Sequence, residues 1–471
     1  MKMMKKLFAI ALVAAMVMAL CVTALAEGDP LADGSIQITP PTGVDASATN
    51  TYTIYKVFNA TNNGTAISYT IDATNGELTQ AMENAGFSVD TAGNVSGPTE
   101  LTTAAIDAIA AYATHKVAEV TATGTAPATA TGLGAGYYYI TTSTGTLVTI
   151  DSTNPSAAVI DKNTVPGLDK KATGETKIDE AGKKAIAEVG KNVNFDATIT
   201  VGKGMESYVF HDTMTAGLQY NNDITITAKD KDDTTVDMKD KYTVKANPDE
   251  GDTITVTFAD GLAEGTVITI TYSAKVTSDA LTVNAAKNTA TVSYGDNNTH
   301  NSTPVSEVQV YNAKFTVTKH DGENQPLAGA GFVIKNSSGA YYFLAADKKS
   351  ITWYTLPSGE KLADAIANGT VTEYKSDDTG AVQAFTGLAD GTYTLEESTV
   401  PAGYNKAADQ TFTVTKSEAT TNLEQAATVT NKKGTELPST GGIGTKIFYG
   451  VGAVLVIGAG VVLMGRKRAA D

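Results

Sequence analysis

Apolar residues in this chain recur mostly at every second position, in short runs bounded by Gly, Asn and Asp. Side chains alternate between the two faces of a strand, so this period predicts half-buried β-strands rather than helices. Tyr52 to Phe58 reads as one strand, and so do Val193 to Val201, Tyr208 to Asp212, Ile224 to Ala228, Thr253 to Phe258, Val267 to Val276 and Asn288 to Tyr294. Leu101 to Val117 is an exception, because Ala105, Ile106, Ile109 and Tyr112 form a helical stripe. Many short strands with regular turn signals predict an all-β chain of tandem Ig-like sandwiches. The stretch Gly132 to Thr142 recurs in degenerate form at Gly387 to Glu397. The glycines of the first copy lead into the strand-like Tyr137-Tyr138-Tyr139-Ile140, where a phosphate loop would need a helix, so nucleotide binding is not expected.

The two ends break the alternation. Lys2 to Lys6 is basic, Leu7 to Val22 is apolar, and Ala24-Leu25-Ala26 is a small-residue cleavage site. Residues 1–26 are therefore expected to be a secretory signal peptide, with the mature chain starting near Glu27. At the other end, Leu437-Pro438-Ser439-Thr440-Gly441 precedes an apolar run, Ile447 to Met464, and then Arg466-Lys467-Arg468. The run is just long enough to cross a bilayer as a helix, and the basic cluster would stay on the cytoplasmic side. Pro438 keeps its neighbours extended, which offers the pentapeptide to an enzyme as an accessible strand.

Composition narrows the possibilities. The 471 residues suffice for two to four domains, and a net charge of -16 makes nucleic acid and anionic membranes poor partners. The one cysteine, Cys21, lies inside the signal peptide, so disulfides, thiol catalysis and Cys-ligated metals are excluded from the mature chain. His115, His211, His300 and His320 show no ligand spacing and no Ser-nucleophile elbow is present, so neither a metal nor an external substrate is expected. The Asp-rich stretch Asp230 to Lys241 lacks the central Gly and closing Glu of a calcium loop and reads as a solvated hairpin tip. No cofactor is expected.

Strand parity supplies the chemistry. Phe315 and Val317 share a face with Lys319; Tyr393 and Leu395 share one with Glu397; Ala427 and Val429 share one with Asn431. Earlier in the chain, Leu168 shares a face with Lys170, Phe210 with Asp212, and Val292 with Asn288. A lysine, an acid and an asparagine thus point twice toward an apolar interior. A buried unpaired charge costs several kcal/mol. Burial lowers an amine pKa and raises a carboxyl pKa, which favours the neutral forms. A neutral amine can attack an Asn carbonyl while the acid polarises the oxygen and carries protons to departing ammonia, leaving a Lys–Asn isopeptide bond. The alternative is a buried ion pair, or strand-end residues whose heads reach solvent.

These motifs resemble those of Gram-positive surface proteins. The order of pentapeptide, apolar span and basic tail is similar to their cell-wall sorting signal. The resemblance implies that a sortase cleaves between Thr440 and Gly441 and passes the Thr440 carbonyl to an amine. The stretch from Thr318-Lys319 through Pro326 to Phe332, the run Tyr393-x-Leu395-x-Glu397-Ser398-x-x-Pro401-x-Gly403-Tyr404, and Val429-Thr430-Asn431 resemble the lysine strand, E-box and asparagine strand of collagen-adhesin B-type domains. Leu168-Asp169-Lys170-Lys171, then Asp212 with Gly217-Leu218, then Asn288-Thr289-Ala290 resemble the A-type domain of the same proteins. By resemblance, Lys170 bonds Asn288 with Asp212 as catalyst, and Lys319 bonds Asn431 with Glu397 as catalyst. In the first domain, Thr142 stands where Glu397 stands in the repeat, so no such bond is expected there.

The expected domains are therefore 27–161, 162–311 as the A-type sandwich, 312–433 as the B-type sandwich, and 434–471 as the sorting signal with its span at 447–464. The whole resembles the backbone subunit of a sortase-assembled pilus. Such subunits carry an acceptor lysine at this domain boundary in a Tyr-Pro-Lys-Asn motif. Here Lys162-Asn163 is kept, but Ile160-Asp161 replaces Tyr-Pro; Lys171 and Lys56 are lesser candidates. The resemblance implies a sortase, identical subunits, accessory pilins and peptidoglycan as partners, with host surface proteins as further ones, and a pilus on a Gram-positive cell wall. The alternative is a wall-anchored monomeric adhesin.

Overall fold

The computed structural model describes residues 33–467 except 64, 72–75, 99–100, 113–114, 142–145, 151–153, 249–250, 296–299, 348–349, 417–422 and 435–442. The signal peptide, Thr142 and the pentapeptide Leu437 to Gly441 lie outside the described residues.

Strands dominate, as the alternation predicts. In the first unit the long strand Thr49–Asn62 pairs with Ile67–Thr70, Lys116–Thr123 and Gly136–Ile140, and a separate three-stranded sheet sets Gly34–Thr39 between Ala128–Leu133 and Ser156–Ile160. Ile36, Ile38, Tyr52, Ile54 and Tyr138 fill one core between the sheets. Phe58, Tyr69, Met82, Phe87 and Ile109 fill a second one beneath two helices. The predicted helix is shorter than its stripe, Thr103–Tyr112, because Lys116–Thr123 turns to strand. Its Val117, Val120, Thr121 and Thr123 are β-branched residues that suit a pleated surface. The helix Gly76–Asn84 was not predicted, since it is short and carries few apolar positions.

Gly136, just ahead of Tyr137, has a packing role. A Cβ on Gly136 would lie 2.6 Å from Lys56 Cε and 2.8 Å from the Phe58 carbonyl oxygen. Only glycine lets the strands come this close.

The second unit packs a six-stranded sheet on a seven-stranded one. Gly167–Thr173 is an edge strand of the first sheet, beside Asn192–Thr200, which also pairs with Val267–Val276. Glu206–Met214 and Ala286–Gly295 are neighbours in the second sheet. In the third unit, Ala313–Asp321 lies between Ala381–Leu388 and the parallel strand Glu424–Asn431, facing a six-stranded sheet that includes Gly391–Thr399 and Gln410–Val414. The stacked rings of Phe315 and Phe412, 3.7 Å between centroids, join the two sheets.

A single apolar core runs through the second and third units. At their junction the Val189 N–H donates to Gly387 O at 3.1 Å, and Trp353 Nε1 donates to Glu188 Oε2 at 2.7 Å. The first and second units meet through polar groups instead. Asn301 Nδ2 donates to Asn50 Oδ1 at 3.0 Å, and its Oδ1 accepts the Thr49 N–H at 3.1 Å.

The helix Ile443–Lys467 contains the apolar run, and Phe448, Tyr449, Val454, Leu455 and Val456 on it are exposed. Taken over the described residues alone, no helix is both long and apolar enough to cross a membrane. The described side chains of this helix end at 462, whereas the uncharged run in the sequence continues to Met464.

Candidate functional site

Parity places every predicted strand residue where it was expected. Lys170, Asp212, Asn288 and Lys319 are fully buried, and Asn431 and Glu397 nearly so. In the second unit all three partners meet. Lys170 projects from Gly167–Thr173 across the sandwich, and its Nζ donates to Asp212 Oδ2 and, at 2.5 Å, to Asn288 Oδ1. The acid and the amide are brought together because Asp212 pairs with Ala290, two residues from Asn288 on the same face.

The surroundings disfavour the charged forms of the amine and the acid. The Lys170 Nζ sits 5.7 Å from the Phe195 ring centroid and 5.4 Å from that of Tyr272. Burial pulls its pKa down to about 8, against the attraction of Asp212. Burial likewise raises the Asp212 carboxyl, against the pull of Lys170. The sequence reading missed Tyr272, whose hydroxyl donates to Asp212 Oδ2 and accepts from Asn288 Nδ2 at 3.4 Å. Its signal was present, since Tyr272 shares a face with Ile268 and Ile270 in a predicted strand.

The third unit is assembled differently. Asn431 Nδ2 donates to Glu397 Oε1 at 2.7 Å, and Glu397 Oε2 accepts the Ala407 N–H at 2.7 Å. Acid and amide are joined, but the Lys319 Nζ donates to His320 O at 2.7 Å and Val429 O at 3.2 Å. Lys319 pairs with Val429 across the parallel ladder, and that register brings the amine to the Val429 carbonyl, two residues short of Asn431. Burial lowers the Lys319 amine, opposed by Glu397 and then Asp321. Asn431 Oδ1 is buried with no hydrogen-bond partner among the described residues.

The two sets also differ in what a bond would join. Lys319 and Asn431 lie on adjacent strands of one sheet, the first and last of their unit. Lys170 and Asn288 lie on opposite sheets, and the Asn288 strand is followed by Ser306–Tyr311, which pairs beside it. A bond would therefore tie a unit's first strand to its last in the third unit only. In the second unit two more strands, His300–Ser302 and Ser306–Tyr311, follow the asparagine strand and pair with it.

Lys162 is exposed between two buried neighbours, Asp161 and Asn163. Lys171 is half-buried, and so is Lys56, whose amine burial pulls down. One further grouping escaped the sequence reading. His211 Nδ1 lies 2.7 Å from Asp252 Oδ2, and its Nε2 lies 2.9 Å from Ser293 Oγ. The Ser293 strand is paired on both edges, with Val209 and with Ser302, which ties up the backbone donors that an acyl oxyanion would need. The grouping is a cross-strand hydrogen-bond network.

Comparison with known proteins gives matches at the C-terminal end. Residues 313–433 match the SpaA family model, a prealbumin-like fold domain, and residues 429–471 match the LPXTG cell wall anchor motif. The chain therefore carries a SpaA-type prealbumin-like domain followed by a cell wall anchor. The anchor implies a sortase and peptidoglycan as partners and the wall of a Gram-positive bacterium as location. No curated protein sequence matches the chain. Among solved structures, the T6 backbone pilin of serotype M6 Streptococcus pyogenes is similar in fold. It has a TM-score of 0.50 and 17% identity, over 83% of this chain and 81% of that one. The group B streptococcus pilus 2b backbone protein matches at 27% identity and a TM-score of 0.45, over 57% of this chain and all of that one. The full-length major pilin SpaD of Corynebacterium diphtheriae matches at 18% identity and a TM-score of 0.44, over 86% and 98%.

Proposed function

We propose that this chain is the backbone subunit of a sortase-assembled pilus, locked internally by two Lys–Asn isopeptide bonds. The observation that carries the internal chemistry is the fully buried Lys170 amine held between Asp212 and Asn288. A proton passes from the amine to the Asp212 carboxylate, and the freed lone pair attacks Asn288 Cγ. Asp212 returns a proton as the carbonyl oxygen gains charge, and the Tyr272 hydroxyl beside both groups holds them in line. The nitrogen of Lys170 loses a second proton to the departing Nδ2, the oxygen returns its proton to Asp212 as the carbonyl re-forms and ammonia leaves, and a C–N amide bond replaces the one broken. Fixed orientation alone supplies roughly 7–11 kcal/mol of such a barrier. In the third unit, Glu397 on the Asn431 amide would serve the same role once the Lys319 amine leaves its two carbonyls.

Between subunits, the sortase would cleave after Thr440 and pass its acyl group to Lys162 of the next copy. The polymer would be covalent and head-to-tail, with the last subunit joined to peptidoglycan. The helix Ile443–Lys467 would hold the precursor in the membrane until cleavage. Accessory pilins and host surface proteins are further partners on this reading. A wall-anchored monomeric adhesin remains the second reading, favoured only by the departure from Tyr-Pro before Lys162.

Two measurements test this. The intact mass of the mature chain should fall short of its sequence by two ammonias, and Asp212→Ala and Glu397→Ala should each restore one. A full mass would refute the internal chemistry. Each bond closes a long loop, Lys170 and Asn288 being 118 positions apart, so by analogy with a disulfide its loss should cost about 5 kcal/mol of stability. Wall extracts should also contain a high-molecular-weight ladder that Lys162→Ala abolishes; absence of a ladder would favour the adhesin.

A further inference from the structure

The bridge that carries Lys162 is fastened at both ends. On the side of the first unit, the Asp161 N–H donates to Thr39 O at 2.9 Å, continuing the parallel ladder of Ser156–Ile160 with Gly34–Thr39. The Asp161 side chain turns inward, only 6% exposed. Its Oδ2 accepts the Tyr52 hydroxyl at 3.1 Å and its Oδ1 accepts the Asn163 N–H at 3.0 Å. That second bond closes a tight turn around Lys162 itself. On the side of the second unit, Thr164 Oγ1 accepts the Lys203 N–H at 2.7 Å, and the Thr164 N–H reaches Lys203 O at 3.3 Å. Gly202 makes this approach possible, because a Cβ there would lie 2.0 Å from Thr164 O and 3.0 Å from Pro166 N.

Each feature has a physical cost that a plain linker would not carry. An acid buried at a domain boundary pays desolvation, and burial does raise the Asp161 carboxyl against the pull of its two hydrogen bonds. Buried Asp161 and Asn163 on either side of exposed Lys162 fix the direction in which the lysine leaves the surface. These units are also joined by the Asn50–Asn301 hydrogen bond, and among the described residues they share no apolar core that would hold the bridge still.

We propose that Asp161 is a positioning residue for the Lys162 amine, and that with Tyr52 and Gly202 it forms a two-point clamp which presents that amine to the acyl group of an incoming second copy of this chain. The inference rests on Lys162 being the acceptor. Misplacing a nucleophile by about 1 Å costs on the order of 100-fold in rate, so a clamp on the flanking residues controls polymerisation without touching the reacting atoms.

The test uses the full chain in the producing bacterium and reads polymer against wall-anchored monomer in wall extracts. Anchoring of monomer uses the Thr440 end and a peptidoglycan amine, so a clamp defect should move protein from ladder to monomer at unchanged total. A folding defect would lower both. Asp161→Ala and Gly202→Ala should each cut the polymer-to-monomer ratio at least roughly tenfold. Tyr52→Phe should cut it less. Asp161→Asn should restore the ladder, because an amide can still accept the Asn163 N–H and donate to the Tyr52 oxygen. If Asp161→Ala is missing from the wall altogether, Tyr52→Phe and Gly202→Ala decide. A normal ladder in those variants, with Lys162→Ala abolishing it, overturns the clamp and leaves the acceptor standing. An Asp161→Asn ladder as weak as that of Asp161→Ala also overturns it, since charge rather than hydrogen bonding would then be at work. A ladder that survives Lys162→Ala removes the acceptor assignment and this inference with it.

Discussion

At the scale of the residue, the same three side-chain types are poised in different ways. Lys170 touches both its acid and its amide, whereas Lys319 is held by two carbonyls while Glu397 engages Asn431. Parity made all six residues visible, because alternation dictates which face a side chain takes. It could not supply the reach of an amine across the sandwich, or the Tyr272 hydroxyl that bridges acid and amide. The unbonded state has a distinctive pH dependence. In Asn288→Ala no bond can form and Lys170 stays buried as an amine, with its pKa lowered from 10.5 to about 8 by burial. Between those values the unfolded chain binds a proton that the folded chain does not, so stability rises with pH across that window. The urea midpoint of Asn288→Ala should increase from about pH 8 to about pH 10, with a flatter profile in the Lys170→Met, Asn288→Ala double variant. A midpoint that falls over the same range would mean the amine is not desolvated.

Among the elements, strands were legible and their partners were not. Val267–Val276 has the ends the alternation predicts, most others differ by a residue or two, and Thr49–Asn62 runs well beyond the predicted Tyr52 to Phe58 at both ends. The sequence did not reveal that Lys170 and Asn288 lie on opposite sheets while Lys319 and Asn431 share one, because pairing depends on the whole topology. Close approach of strands is also an element-scale property. Gly136 lies against the Phe58 carbonyl and the Lys56 stem, and the carbonyl belongs to a paired strand that cannot easily move. Gly136→Ala should destabilise the first unit by about 1–3 kcal/mol. Differential scanning calorimetry would register this as a lower first transition with later ones unchanged. No shift would mean the strands separate at little cost.

For the whole molecule, the order of attachment points decides what bears load. If force enters at Lys162 and leaves at Thr440, residues 33–161 lie outside its path and need no internal bond to resist it. The second and third units lie within the path, joined by one continuous apolar core. A Lys170–Asn288 bond would remove the 118 positions between them from the extensible chain. When single molecules are pulled between Lys162 and the C-terminal end, Asp212→Ala should release roughly 400 Å more extension than the parent. Equal extension in the two would rule out a load-bearing bond in the second unit.

By itself, the sequence determined the all-β class, the surface destination carried by its wall-anchor motif, and the inward face of each buried lysine, acid and asparagine. These follow from local rules: alternation along a strand, the length of an apolar run, the restraint of a proline. Tertiary structure alone decided which groups meet, how far each amine stands from its amide, and that the exposed Lys162 hangs on a bridge fastened through Asp161 and Gly202. Those outcomes depend on strand order and on packing between units, and residues far apart along the chain set them together.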